Sequence, residues 1–194
     1  MGIVARKEHM RVASGPGTSD RQIDVYNPYT NEICGSVPKA SVADIAKAYD
    51  SAKAFKPELS RAARSEILRK TADLLVARKQ EIAELITAES GLCLKDTLYE
   101  VGRAYDVFFL SSTAVIKDDG EIFSCDITPH GKKRKIFTQR DSLQGVITAI
   151  TPFNHPLNQV AHKVAPSIAT NNRMVLEPTE KTPLSALVLA DILY

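Results

Sequence analysis

The chain has 194 residues, of which 44% are hydrophobic and 25% charged, a composition typical of a globular protein with one domain or one and a half. Its formal charge of +2 gives no reason to expect a nucleic acid partner, and no apolar run approaches the ~20 residues of a membrane-spanning helix. Cys34, Cys93 and Cys125 are odd in number and lack metal-ligand spacing, and the N-terminus lacks a signal-peptide core, so we expect reduced thiols, no metal and a cytoplasmic location.

The N-terminal half predicts short strands followed by helices. Residues 11–37 contain turn signals, and Ser41, with Asp44 three residues later, predicts a helix with a capping box that stops at Pro57. Helical periodicity then runs from residue 60 to residue 91 and again from 94 to 115. The predicted core-facing stripe of the first of these regions comprises Ile67, Leu68, Leu74, Leu75, Ile82, Leu85 and Ile86.

The pattern changes from helix to strand after residue 117. Polar and apolar residues alternate over 121–126, residues 129–131 form a turn signal, and 135–138 predict the returning strand of a long hairpin. The basic cluster at 132–135 has two interpretations. A solvated strand edge that discourages unwanted pairing is favoured over an anion-binding patch.

Residues 145–183 predict a parallel βαβ unit with a right-handed crossover. The β-branched run 146–150 is a strand, 157–169 a helix, 174–176 a second strand, and a further helix begins near residue 183. Asn154, His155 and Pro156 follow the first strand directly. Ligands of open α/β sheets bind outside the carboxyl ends of the strands, so this segment is the candidate site.

The motifs ITPFNHP, HKVAPSIATNN and EPTEKTPLSAL resemble those of the aldehyde dehydrogenase superfamily around its cofactor-binding strands, and the resemblance runs along the whole chain. The segments YEVGRAYDVF, DDGEIFSCDITPHGK and LADILY are most similar to the phosphonoacetaldehyde dehydrogenases. The resemblance implies an α/β fold, a Rossmann-like parallel sheet with an inserted antiparallel β-hairpin. Residues 1–116 and 142–194 would form the N-terminal part of an NAD-binding domain, and 117–141 would form the oligomerisation hairpin of a homodimer or homotetramer.

The activity that the resemblance implies is oxidation of an aldehyde to an acid, through a cysteine thiohemiacetal and hydride transfer to NAD. Asn154 matches the family's oxyanion-binding asparagine, and Lys163 matches a lysine that supports that site. Without the resemblance, Asn154 would be a loop-forming residue and Lys163 a solvated helix lysine. None of the three cysteines matches the family's nucleophile, and the catalytic domain would be absent from the chain, so we expect the chain alone to be inactive.

The resemblance also assigns a cofactor site. The segment expected to line the nicotinamide side consists of Ile150, Thr151, Pro152 and Phe153. Glu180 matches a glutamate that accepts hydrogen bonds from the adenine ribose, and its charge should repel a 2′-phosphate, which favours NAD over NADP. Glu177 departs from the family pattern, because it stands where lysine is usual.

Two residues suggest the substrate. Arg103 on a helix and His155 beside Asn154 offer an arginine fork and a histidine donor, which suit a small anionic aldehyde such as phosphonoacetaldehyde. Each also has a structural interpretation, in which Arg103 pairs with Glu100 and His155 caps a backbone carbonyl. Another semialdehyde specificity, or a non-catalytic binding chain of a split assembly, stays open.

Overall fold

The computed structural model describes residues 6–12, 15–56, 58–117 and 120–194. Pro57, the predicted end of the first helix, lies outside these residues, as do 118–119 at the start of the predicted hairpin segment. In the described residues the strands are β1 (Arg6–Lys7), β2 (Met10–Val12), β3 (Gly15–Gly17), β4 (Gln22–Tyr26), β5 (Ile33–Pro38), β6 (Glu121–Ser124), β7 (Lys135–Thr138), β8 (Ile147–Ile150) and β9 (Met174–Glu177). The helices there are α1 (Val42–Ala54), α2 (Arg61–Ala77), α3 (Lys79–Ser90), α4 (Leu94–Ala114), α5 (Pro156–Ala169) and α6 (Leu184–Leu193).

Local capping signals set several helix ends. The predicted capping box of α1 is confirmed, since the Ser41 hydroxyl accepts from the Asp44 N–H and the Asp44 carboxylate accepts from the Ser41 N–H at 2.8 Å. Ser60 caps α2 in the same way, accepting from the Ala63 N–H. Gly91 ends α3 at φ 75°, and Asn171 follows α5 at φ 59°, both in the left-handed region.

The predicted helical region from residue 60 to residue 91 is two helices, divided at Arg78. Arg78 leaves the helical conformation (φ −104°, ψ 16°), and its guanidinium donates to the Glu81 carboxylate in the first turn of α3 at 2.8 and 3.0 Å. The chain has neither glycine nor proline at this break, so the sequence carried no breaker signal.

Helices α2 to α6 surround the main core. Its largest fully buried apolar side chains on these helices are Phe108, Leu68, Leu75, Ile82, Ile86, Leu157, Leu184 and Leu189. The predicted stripe is therefore largely confirmed, with Ile67 and Leu74 only half-buried. Helix α1 has no buried residue, and its Val42 is 85% exposed, so its apolar positions do not face this core.

The predicted βαβ unit is confirmed. Strands β8 and β9 pair in parallel, with Ile147 opposite Met174 and Ile150 opposite Glu177, and α5 connects them. Strand β9 runs one residue further than predicted, which brings Glu177 into the sheet beside Ile150. The carboxyl ends of both strands therefore lie side by side.

The hairpin is also confirmed as an antiparallel pair. Ile122 lies opposite Phe137 and Phe123 opposite Ile136, and every residue of β6 and β7 is exposed. These four apolar side chains are between 49% and 75% exposed.

None of the helices in the part of the chain that the structure describes has the length and apolar character of a membrane span.

Candidate functional site

The candidate site is the segment between β8 and α5. Thr151 is buried, and its N–H donates to the Glu177 carbonyl at 3.2 Å, which ties the end of β8 to the end of β9. Pro152, Phe153 and Asn154 are then exposed, and α5 begins at Pro156. The exposed Asn154 amide thus stands in a short turn that is anchored at both ends.

The anchor at the helix end is Glu100, a buried carboxylate on α4 that is 1% exposed. The side chain of His155, the N-cap residue, makes no capping hydrogen bond to α5. Instead, Glu100 Oε1 accepts from the N–H groups of Leu157 and Asn158 at 2.9 and 3.0 Å, and Glu100 Oε2 lies 3.3 Å from His155 Nδ1. The carboxylate satisfies two of the orphan donors of the first turn and complements the positive end of the helix dipole.

Glu89 on α3 does the same for α6. Its Oε2 accepts from the Leu184 N–H at 2.7 Å and its Oε1 from the Ser185 N–H at 3.0 Å. Burial raises the pKa of Glu89 to about 7, against the lowering effect of the hydrogen bonds from Ser185 and Leu184, and the charge of Glu100 adds to the rise. In both helices that follow the parallel strands, the N–H groups of the first turn therefore donate to a buried glutamate from another helix.

This arrangement restricts where an anionic ligand can bind. The N-terminus of a helix is ordinarily a favourable anion site, because its free N–H groups and its dipole point at the ligand. In α5 and α6 a carboxylate already occupies that position. The phosphates of a dinucleotide would have to be held elsewhere than at these two helix starts.

Four of the predicted cofactor and catalytic residues line two separate cavities. Ile150 and Lys163 line a cavity of about 330 Å³ between β8, β9 and α5. Phe153 and Glu180 line another, of about 410 Å³, between β4, the end of α3 and the loop before α6. Lys181 Nζ lies 4.8 Å from the centroid of the Phe153 ring and lines the second cavity. Asn154, Pro152, Thr151 and Glu177 line neither of the two.

Of the two predicted substrate residues, His155 contacts Glu100 and Arg103 does not. The His155 side chain is 45% exposed. Arg103 is exposed one turn further along α4. The contacts of Glu100 go to α5 and His155, and the described residues show no Arg103–Glu100 ion pair, so the structural interpretation of Arg103 as the partner of Glu100 is wrong.

Sequence reasoning missed Glu89, and it named Glu100 only as a helical partner of Arg103, not as the cap of α5. Both carried a signal, because each glutamate sits on the apolar stripe of its helix, Glu89 after Leu85 and Ile86, and Glu100 beside Val101. A charged residue on a buried face needs a partner. The helices that supply those partners begin without a capping serine, threonine, aspartate or asparagine.

The cysteines lie on separate elements. Cys34 is buried in β5, where burial raises the pKa of its thiol, and its Sγ lies 3.3 Å from the Val25 carbonyl. Cys93 is exposed at the start of α4, and Cys125 is partly buried beside β6. Across the residues that the structure describes, no three His, Cys, Asp or Glu side chains cluster as they would around a metal ion.

Comparison with known proteins identifies the family. The aldehyde dehydrogenase family profile matches residues 16–194. The 3-sulfolactaldehyde dehydrogenase of Priestia aryabhattai is 37% identical over 177 residues, which are 91% of this chain and 37% of that enzyme. The lactaldehyde dehydrogenase of Methanocaldococcus jannaschii is 34% identical over 182 residues, 92% of this chain and 38% of that enzyme.

A solved structure agrees with these sequence relatives. The NADP-dependent glyceraldehyde-3-phosphate dehydrogenase of Bacillus halodurans, complexed with NADP, superposes with a TM-score of 0.91 at 28% identity, covering 96% of this chain and 40% of that one. The chain thus spans somewhat more than a third of the length of the curated relatives it matches. Both the sequence match and the shared α/β architecture lead to one conclusion: the chain belongs to the aldehyde dehydrogenase family.

Proposed function

We propose that this chain is the N-terminal part of an NAD-dependent aldehyde dehydrogenase that oxidises a small anionic aldehyde to the acid. The observation that carries the proposal is the exposed Asn154 amide at the carboxyl end of β8, in a turn anchored to β9 by Thr151 and to α4 by Glu100. An exposed amide donor in a turn that is held at both ends is what stabilisation of a developing oxyanion requires.

In the proposed reaction Asn154 donates a hydrogen bond to the aldehyde oxygen as negative charge develops there. A preorganised neutral donor helps because it need not reorient when the charge appears. Lys163 lies on the following helix and lines the cavity that reaches Ile150, so its ammonium would add a positive potential to that cavity. The nucleophilic thiolate would come from the remaining length of the enzyme.

NAD, when bound, supplies the hydride acceptor. The exposed carboxylates of Glu177 and Glu180 are suited to accept hydrogen bonds from ribose hydroxyls, and both would repel a 2′-phosphate. Ile150, Thr151, Pro152 and Phe153 would pack against the nicotinamide side. The NADP enzyme of Bacillus halodurans shows that a relative can use the phosphorylated cofactor, so cofactor choice is part of the proposal to be measured.

The anionic substrate is proposed from Arg103 and His155. Arg103 is exposed without an ion-pair partner among the described residues, and His155 is half-exposed beside Asn154. Two relatives are named for a sulfonated and a phosphorylated aldehyde, which supports the anionic class, whereas the lactaldehyde enzyme is named for a neutral one. Phosphonoacetaldehyde is the member of the class that we propose, and another semialdehyde is the alternative.

The chain is proposed to combine part of a cofactor-binding domain with an assembly hairpin. Residues 1–116 and 142–194 form part of the NAD-binding domain, and 117–141 form a hairpin through which the enzyme assembles as a homodimer or homotetramer in the cytoplasm. The exposed Ile122, Phe123, Ile136 and Phe137 support an assembly role, because an isolated two-stranded hairpin is marginal in water. A non-catalytic binding chain of a split assembly is the competing function.

The test uses an enzyme that carries this sequence within the full length of its relatives. Asn154→Ala should lower kcat by about 100-fold or more, the scale of one lost oxyanion donor. Arg103→Ala should raise KM for phosphonoacetaldehyde by about 10-fold or more, the scale of a hydrogen bond to a charged group, with little change for a neutral aldehyde of equal size. Lys95→Ala, which removes an exposed charge from the same helix, is the control.

Two outcomes would contradict the proposal. Unchanged kcat in Asn154→Ala would remove the oxyanion role, and equal losses for charged and neutral aldehydes in Arg103→Ala would remove the anionic substrate. The 194-residue chain alone should form no NADH from aldehydes, since no cysteine in it matches the nucleophile. Turnover by the chain alone that is abolished by mutating one of its cysteines would overturn that statement.

A further inference from the structure

Glu100 and Glu89 perform the same capping with different use of their oxygens. Glu89 uses one oxygen for each of two backbone N–H groups of α6. Glu100 receives both backbone N–H groups of α5 on Oε1 alone. Its Oε2 is therefore left for a different partner, and that partner is His155 Nδ1 at 3.3 Å.

This contact determines where the proton of His155 lies. Oε1 accepts from two backbone N–H groups at the positive end of α5, and Oε2, as a carboxylate oxygen, can accept from a further donor. Nδ1 must then carry the hydrogen that lies between the two groups. In the neutral ring Nε2 is consequently unprotonated, because only one nitrogen holds the proton.

The same contact fixes the ring within the candidate site. His155 is half-exposed, whereas Glu100 is buried on the neighbouring helix; the carboxylate holds Nδ1, and Nε2 has no hydrogen-bond partner among the described residues. When an anion is present, the protonated ring can donate from Nε2 to the anion while Nδ1 donates to Glu100. A carboxylate behind a histidine orients the ring in this way at many sites.

We propose that Glu100 is a positioning residue for substrate recognition: it anchors the turn that carries Asn154 and accepts a hydrogen bond from Nδ1–H of His155, so that Nε2 faces the anionic group of the aldehyde and donates to it when the ring is protonated. This inference rests on the proposed function for its substrate, but the orientation of His155 is a property of the chain itself. Glu100 does not touch the reacting atoms and acts through His155.

The direct test is nitrogen-15 NMR of the histidine rings in the 194-residue chain, at a pH where His155 is neutral. The chain has four histidines, and the signals that vanish in His155→Phe identify the right one. The expected spectrum shows His155 in the Nδ1–H tautomer. The Nε2–H tautomer, or an equal mixture, would overturn the inference without bearing on the proposed function.

Glu100→Gln tests the role of the carboxylate directly, because this variant can keep the hydrogen bonds that cap α5. The amide oxygen of glutamine can accept both N–H groups of α5, as Oε1 does now, and its NH2 group then faces Nδ1. Nδ1 must become an acceptor, so His155 should switch to the Nε2–H tautomer. An unchanged tautomer in a folded Glu100→Gln chain would refute the role of Glu100, and the wild-type spectrum alone decides if that variant does not fold.

Kinetics of the complete enzyme distinguish a role of Glu100 in positioning His155 from a role in stabilising the fold. Glu100→Gln should raise KM for phosphonoacetaldehyde about 5-fold or more relative to a neutral aldehyde of equal size, because the glutamine NH2 group opposes Nδ1–H and therefore the protonated ring that donates to the anion. Glu89→Gln is the matched control, because it removes a buried charge from the start of α6 and has no contact with His155. If the ratio of KM for phosphonoacetaldehyde to KM for the neutral aldehyde is the same in Glu100→Gln and Glu89→Gln, Glu100 only stabilises the fold.

Discussion

Replacement of Glu89 by glutamine should change the pH dependence of the free energy of unfolding. Glu89 is 2% exposed, and its pKa rises from 4.5 to about 7 in the folded chain, chiefly because burial disfavours the charged form. The unfolded chain regains the ordinary value. Between pH 4.5 and pH 7 the folded state therefore binds more protons than the unfolded state.

Because the folded state binds more protons, the contribution of Glu89 to the free energy of unfolding falls as the pH rises. A carboxyl group with a raised pKa favours folding most at a pH below 4.5, and that contribution is lost as the pH rises through 7. The difference between the two pKa values corresponds to about 3 kcal/mol, at about 1.4 kcal/mol for each pKa unit. For a chain of this length that is a change of about 10 °C in Tm. Because glutamine does not ionise, the Glu89→Gln chain should lack this loss.

The assay is urea unfolding of the wild-type and Glu89→Gln chains at a series of values from pH 5 to pH 8. The variant should gain stability relative to wild type as the pH rises, by about 2.5 kcal/mol from pH 5 to pH 8, since part of the total change lies below pH 5. Glu81→Gln is the control. Hydrogen bonds from Arg78 and Arg6 lower the pKa of Glu81 to about 2, so its contribution is present above pH 4.5 and is lost only as the pH falls toward 2. Parallel stability curves for wild type and Glu89→Gln from pH 5 to pH 8 would refute the reasoning, and would show that the two N–H groups of α6 keep Glu89 ionised.

Three further changes test packing, assembly and cofactor binding. A Cβ at Gly35 would lie 2.8 Å from both methyl carbons of Leu184, so Gly35→Ala should lower the free energy of unfolding by about 1–3 kcal/mol, whereas Gly102→Ala, whose Cβ meets nothing closer than 3.9 Å, should not destabilise the chain; equal Tm values for the two variants would contradict this. Deletion of residues 119–140 should lower the oligomeric state of the complete enzyme in light scattering, and an unchanged mass would remove the assembly role of the hairpin. Glu177→Lys in the complete enzyme should tighten NAD binding by about 1–3 kcal/mol in calorimetry, by restoring a cationic donor toward the ribose, and unchanged or weaker affinity would show that Glu177 points elsewhere.

The sequence by itself determined the features that depend on near neighbours. Ser41 and Asp44 are three residues apart, and the capping box they form is visible in the chain. Gly91 and Asn171 mark helix ends because they adopt the left-handed conformation at little cost. The parallel strand, helix, strand order and the hairpin follow from apolar periodicity, which reflects the geometry of each element.

Tertiary structure alone decided what caps the helices of the candidate site. Glu100 and Leu157 are 57 residues apart, and Glu89 and Leu184 are 95 residues apart. A glutamate on an apolar stripe signals that it needs a partner, but a cap supplied across such a distance leaves no local motif that names the partner, because the contact exists only once α3 and α4 have packed against α5 and α6. The same packing paired His155 with Glu100 and left Arg103 exposed, although Arg103 lies at helical spacing from Glu100. The difference between the two residues is burial. The buried carboxylate needs hydrogen-bond donors in place of water, and the buried N–H groups at the start of α5 supply them. The exposed arginine remains hydrated and needs no protein partner.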